Sequence, residues 1–422
     1  MSNLLLKTIS LILIVSFSLL TYAATDNKKT TSFENIYIKA KEINLDILEN
    51  KLSKDVAEAN LNSLSSHFLP KLGLEGRYEN FNSKLEKIDG GSANAYADWN
   101  LFNGFKDSVN QNNSKIELQQ AENNLKKSEN NFRAQMLVFY SHSQALQKII
   151  ETYKETIVKN KIFLANVNLR NKAGLVSESE YLEFELYDQK LKLEMNDFES
   201  QLELSLAELK VHSGILEFGA LNTELKPKAL KISINDIDTL LFSETSQLQD
   251  LRNEITKSEN DLELANSGYF PKLNLRATYG SQGMREAVVN PETTVALTAQ
   301  WELFSGFETL AMRKVALTKI LQTKNKLNVE KIHLKSDLEQ KIKKISSILE
   351  RLNLEGTNKI KAENYVKAVT IEFRRGVKNS ADLKNATELL LQIKIKTSQL
   401  KSEYYKILYD LQMILGIQLE EK

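Results

Sequence analysis

The seven residues Trp99 to Phe105, Trp-Asn-Leu-Phe-Asn-Gly-Phe, return as Trp301 to Phe307, Trp-Glu-Leu-Phe-Ser-Gly-Phe, at an offset of 202. A chain built this way folds one supersecondary unit twice, and the two units must cover each other's apolar faces. In each copy an alternating run of apolar and polar residues ends at this aromatic cluster, a Gly follows, and a very long heptad-like run begins. The stretch reads as a strand passing into a helix at an aromatic belt, a pattern suited to the edge of a membrane barrel.

Further landmarks keep the spacing. Leu69 to Leu74 matches Phe270 to Leu275 one residue out of register, because the intervening loops differ by one. Gly174 matches Gly376, and Ser213-Gly214-Ile215 matches Leu415-Gly416-Ile417. Each copy therefore reads strand, loop, strand, long helix, Gly turn, return helix, Gly stop. The expected division is a first repeat over 24–214, an inter-repeat segment over 215–242, a second repeat over 243–417 and a tail over 418–422.

The first residues carry Lys7, an apolar run from Ile9 to Leu20 and then Thr21-Tyr22-Ala23, the three regions of a cleaved signal peptide over 1–23. An uncleaved anchor is the alternative, although the run is short for a span of about 20 residues. No later run is long and apolar enough for a transmembrane helix, so any crossing falls to strands. A formal charge of +1 and the lack of a basic stripe give nucleic acid nothing to bind. Cysteine is absent, which excludes disulfides and thiolate chemistry.

Residues from about Phe33 to His67 follow a helical period until Pro70 stops it. From Leu72 the period becomes two. Leu72, Leu74, Gly76 and Tyr78 share one face, and Lys71, Glu75, Arg77 and Glu79 the other. After a polar loop over 83–92 containing Asp89-Gly90-Gly91, the second strand places Ala93, Ala95, Ala97, Trp99 and Leu101 opposite Asn94, Tyr96, Asp98 and Asn100. The strands are expected at about 69–81, 93–103, 270–281 and 293–304, each of the length that a tilted strand needs to cross a bilayer. Half-buried hairpins of a soluble sheet would share this alternation. Four strands cannot close a barrel, which needs about eight, and an open edge cannot stand in lipid. Several copies would then share one barrel.

The helix expected over 104–172 spans on the order of 100 Å at 1.5 Å per residue. Leu118, Leu125, Phe132, Phe139, Leu146 and Tyr153 recur every seven residues, and Val167 resumes the series after Asn160. In the second helix, expected over 306–375, Ile320, Leu327, Leu334, Ile348, Ala362 and Val369 form the seam, which Lys341 and Glu355 interrupt. A sustained period of seven implies coiled-coil packing. Gly174 and Gly376 suit left-handed helix caps, Ser177 and Asn379 suit N-caps of return helices over 177–213 and 379–415, and capping leaves Leu175 and Val377 unexplained at the tips.

With these pieces assembled the chain resembles the TolC family of outer-membrane efflux proteins. The resemblance rests on the duplicated Leu-Pro-Lys-Leu and Phe-Pro-Lys-Leu strand starts, on Trp-x-Leu-Phe-x-Gly-Phe, and on the Arg-x-x-x-Gly-Leu turn from Arg170 to Leu175. It implies a mainly α protein with membrane β structure: a trimer with a 12-stranded outer-membrane barrel, continued by a periplasmic coiled-coil barrel. Trp99, Phe102, Phe105, Trp301, Phe304 and Phe307 would be the membrane-interface aromatics. The tips Gly174, Leu175, Gly376 and Val377 would meet a periplasmic adaptor protein, itself joined to an inner-membrane pump or ABC exporter. The periplasmic entrance would fall on Phe373, Lys378, Ser179, Glu180 and Asp382, with Asn385 where the family carries a second acid and Lys378 in place of the usual arginine.

The function implied is a passive exit duct for efflux or type I secretion, located in the outer membrane with a large periplasmic part. The alternative is a secreted or periplasmic structural coiled-coil protein without a pore. No cofactor or metal is expected, and no enzyme: His67, His142, His212 and His333 are scattered, and no nucleophile elbow or phosphate loop occurs.

Overall fold

The protein, seen in a computed structural model, is described over residues 32–82, 87–216, 219, 221–230, 237–238, 245–284, 287–288, 291–416 and 419. The expected signal peptide lies outside the described residues. The order is α1 (Phe33–Ile43), α2 (Leu45–Ser65), β1 (Lys71–Asn82), β2 (Lys87–Asn103), α3 (Lys106–Lys172), α4 (Glu178–Ser213), α5 (Ser246–Asn266), β3 (Lys272–Met284), β4 (Ala287–Val288), β5 (Glu292–Gln300), α6 (Glu308–Arg374) and α7 (Ser380–Leu415). Among the described residues no helix is long and apolar enough to cross a membrane.

Three boundaries differ from the sequence reading, each for a local reason. The helix expected from Phe33 to His67 breaks at Asn44, whose backbone is extended and whose side-chain oxygen accepts from the Ile47 amide at 2.8 Å. An Asn offers a local hydrogen bond that competes with helix continuation and caps the next helix instead. The loop expected over 83–92 is shorter, because β2 already starts at Lys87 opposite Asn82. Gly90 and Gly91 lie in the ladder opposite Glu79 and Tyr78 rather than in a turn. The strand expected over 293–304 stops at Gln300, because β5 is paired on one side only.

The sheet is antiparallel in the order β1, β2, β3, β5, with the short β4 beside the end of β3. The two repeats meet at the β2–β3 pair, which runs from Gly90 opposite Met284 to Asn103 opposite Lys272 with an irregularity at Leu101. A Cβ at Gly280 would overlap the Asn94 side chain and the Ala93 carbonyl, so that pairing requires Gly there.

Below the sheet two antiparallel helix hairpins, α3–α4 and α6–α7, pack side by side, α3 against α7. Each repeat has its own core near mid-length. Phe33, Ile36, Phe132, Met136, Tyr140 and Leu209 form the first, and Leu248, Leu338, Ile345, Tyr404, Leu408 and Leu411 belong to the second. Of the heptad seam, Phe132, Leu146, Tyr153 and Val167 are buried in α3 and Ile320, Leu334, Ile348, Ala362 and Val369 in α6. Segment 221–230 straps across the first hairpin. Its backbone groups are met by side chains: the Thr223 amide donates to the Tyr140 hydroxyl at 2.9 Å, and the Gln144 amide donates to the Thr223 carbonyl at 2.6 Å.

Candidate functional site: the sheet faces and the hairpin tips

Strand alternation gives the sheet two unlike faces. On one, Leu72 opposes Ala97, Leu74 opposes Ala95, Ala97 opposes Ala277, and Leu275 opposes Leu297. Leu72 and Leu74 are 80% and 86% exposed, a whole apolar surface turned outward. On the other face Arg276 donates to the Glu75 carboxylate at 2.9 Å, and its guanidinium centre lies 4.8 Å from the centroid of the Tyr96 ring. Gly73 makes room there, since a Cβ at that point would sit 2.5 Å from the Tyr96 ring. An apolar outer face backed by a polar inner one is the arrangement of a strand that separates lipid from water.

The aromatic motif does more than form a belt. The Trp99 indole donates to the Phe68 carbonyl at 2.9 Å, and the Trp301 indole donates to the Tyr269 carbonyl at 3.2 Å. Each Trp thus ties the end of one strand to the helix–strand junction that begins its hairpin. Behind it two consecutive residues are left-handed: Gly104 and Phe105 at φ 61° and 69°, Gly306 and Phe307 at 61° and 68°. This pair turns the chain from strand to helix. The strain at the two Phe residues is offset by edge-to-face packing of Phe105 on Phe102 and Phe270, and of Phe307 on Phe304.

At the far end both long helices stop in the same way. Gly174 and Gly376 take φ of +70° and +79°, and the Leu175 and Val377 amides reach back to the Arg170 and Glu372 carbonyls at 2.9 Å. Leu175 and Val377 stand 76% and 72% exposed. Ser177 accepts from the Glu180 amide, and Asn379 forms a capping box with Asp382.

Of the expected entrance residues, Phe373 is buried, Glu180 accepts from the Ser380 hydroxyl at 2.8 Å, and Ser179 meets Ser177 at 2.9 Å. Lys378 lies 3.7 Å from Asp382 on its own hairpin rather than beside Glu180, and Asn385 is exposed. Arg170, which the sequence offered only as the start of the Arg-x-x-x-Gly-Leu turn, holds the two tips together. Arg170 donates to the Phe373 and Arg374 carbonyls at 3.1 and 2.9 Å and lies over the Phe373 ring at 4.9 Å. The Phe373 carbonyl already accepts from the Gly376 amide at 3.0 Å, so the guanidinium adds a second donor there and serves Arg374 as well, at the negative end of α6 where a cationic fork is favoured. A basic residue four positions before the tip Gly was the available signal.

Above the tips, Glu183 pairs with Lys384, Lys190 with Glu388 at 2.7 Å and Glu155 with Lys394 at 3.1 Å, each bridging the two hairpins. The hydrogen bond from Lys394 holds the Glu155 carboxyl below the usual range, and that to Glu388 raises Lys190. The break in the first heptad seam is also accounted for. Buried Asn160 donates to Asp188 at 3.2 Å, and Lys192 binds the other carboxylate oxygen at 2.6 Å. Burial alone would raise Asp188, but these two donors outweigh it and hold the acid low. Among the described residues no cluster of His, Cys, Asp and Glu could hold a metal ion.

The sequence profile of the outer membrane efflux protein family matches residues 36–214 and 240–417. The chain belongs to that family. Its place is therefore the outer membrane, with the helical hairpins forming a large periplasmic part. No curated protein matches the chain. Among solved structures it is similar to CusC, described for transmembrane channel formation, at 12% identity and TM-score 0.79 over 91% of this chain and 92% of that one. VceC of Vibrio cholerae gives 13% and 0.77, over 91% and 96%. The Campylobacter jejuni outer membrane channel CmeC gives 14% and 0.76, over 92% and 86%. These likenesses are at the level of fold.

Proposed function

We propose that the chain is one third of a homotrimeric exit duct, passive in itself and coupled to an inner-membrane pump through a periplasmic adaptor. The observation that carries this is the sheet. It has an apolar face turned outward, a charged face behind it, and a free edge at both β1 and β5. In lipid each of those edges needs a partner strand, and β1 of a second copy supplies one for β5. Three copies would give twelve strands around a polar lumen. The α3 and α6 helices, each 67 residues and about 100 Å long, would carry that lumen across the periplasm.

The exposed tips at Gly174, Leu175, Gly376 and Val377 suit an adaptor. Phe373, Lys378, Ser179, Glu180, Asp382 and Asn385 lie near enough to the tips to line an entrance that opens when helix packing changes. The cargo class is left to experiment: small toxic compounds or a secreted polypeptide. The test is conductance of detergent-purified protein in a planar bilayer, with its mass measured on the same sample. Discrete channels from a trimer are expected. A detergent-free soluble species without conductance would overturn the reading in favour of a structural coiled coil.

A further inference from the structure

Resting on the trimeric duct, we infer that its copies hold one another through a dry apolar seam just below the barrel, α6 of one copy on α2 of the next. The two repeats of a single chain are joined at the equivalent place by a polar, hydrated seam. The internal repeat supplies the geometry. Within a chain α5 packs on α6 and also on α3. Its counterpart α2 packs on α3, so the repeat places the other side of α2 against α6 of a second copy.

The seam within the chain is polar. Asn260 donates to Asn113 at 2.7 Å, Lys257 to Glu117 at 2.6 Å, and the charge of Lys127 acts on Asp250. The side-chain nitrogens of Asn123 and Asn253 and the Ser246 hydroxyl are buried without a protein partner, groups that water satisfies. Subtracting 201 turns Ser246, Asn253, Lys257 and Asn260 of α5 into Leu45, Leu52, Val56 and Ala59 of α2. Adding 202 turns Asn113, Lys127 and Asn130 of α3 into Val315, Val329 and Ile332 of α6. Glu117, Asn123 and Asp250 keep polar counterparts in Lys319, Asn325 and Glu49. All seven apolar counterparts are exposed in the single chain.

The foot of the seam shows the exchange most plainly. Within the chain α7 ends at Gly416 against Ser246, and Asn130 donates to the Gly416 carbonyl at 3.3 Å. In the counterpart α4 ends at Gly214 against Ile43, and Ile332 of the second copy takes the place of Asn130. Ile43, Leu45 and Ile332, each exposed in one chain, then converge. Two apolar stripes brought face to face release their water, whereas a row of amides and ions retains it. Lipid is not the occupant, because Ile332 lies 25 residues, about 37 Å, along α6 from Phe307 at the aromatic belt.

The absence of cysteine makes the test clean. N113C/N260C spans the seam within a chain, and V315C/A59C spans its counterpart between copies. Each is bridged with a short bis-methanethiosulfonate reagent. On a non-reducing gel V315C/A59C should give covalent dimers and trimers, and N113C/N260C a single-chain band. A second variant, V315N/V329K/I332N, copies the polar seam onto α6. It should raise the trimer dissociation constant in detergent at least tenfold with helix content unchanged by circular dichroism, while N113V/K127V/N130I stays within twofold of wild type. A wild-type trimer whose copies V315C/A59C does not link would overturn the inference and leave the duct intact. So would V315N/V329K/I332N dissociating no more readily than N113V/K127V/N130I, or losing helix as a monomer, which would mean that the stripe packs within its own chain. A wild-type protein that is not a trimer would overturn both.

Discussion

β2 and β5 come from equivalent stretches, yet β2 runs for 17 residues and β5 for nine. The Trp-x-Leu-Phe motif is strand in the first repeat, where Phe102 pairs with Leu273, and irregular in the second, where β5 lacks an outer neighbour. The same difference appears at the turn that follows. A Cβ on Gly104 would sit 2.7 Å from the Ser267 carbonyl, whereas one on Gly306 meets nothing within 4 Å. Sequence proposes a strand; the neighbouring strand determines how far it extends. The second repeat is thus a first repeat that awaits a partner.

The largest effect should come from the junction of the two repeats. Gly280→Val forces a side chain into the backbone of β2, and a cost of ~3 kcal/mol or more is expected, read as loss of heat-resistant assembly on a gel. Glycine at the two turns divides the comparison further. Gly104→Ala should cost about 1–2 kcal/mol from its left-handed backbone and more from the Ser267 contact. Gly306→Ala should cost only the backbone part in the dissociated chain, but as much as Gly104→Ala in the assembled protein if β5 takes up a second copy's β1. Equal costs in the dissociated chain would break the comparison. Urea unfolding in detergent measures both.

Next is Arg170→Ala, which removes the donor to the Arg374 carbonyl and the second donor to Phe373 and should cost about 1 kcal/mol, with the tips of one copy held less firmly. Arg170→Lys should recover only part, because a point charge cannot serve both carbonyls. The smallest effect is one of pH. Asp188 is held below its usual range in the fold, so its contribution is complete above about pH 3.9, the unperturbed value, and is lost as pH falls through the folded value. Asp188→Asn should flatten the acid limb of thermal stability, and an unaltered limb would remove Asp188 from the account.

Much of this molecule was legible in the chain itself. The change from a period of two to a period of seven located strands and helices, because alternation and heptads are direct imprints of pleat and coil. The repeated Gly with a following aromatic marked the strand-to-helix turn, and Gly174 and Gly376 marked the tips. Tertiary structure decided what depends on partners distant in sequence. β5 stops at Gln300, where its partner β3 begins at Lys272 and no described strand lies on its other side. Arg170 fastens the tips because folding brings it to the end of α6. Periodicity is local, and a sequence carries it openly. A hydrogen bond between residues some 200 positions apart exists only once the chain has been brought back on itself.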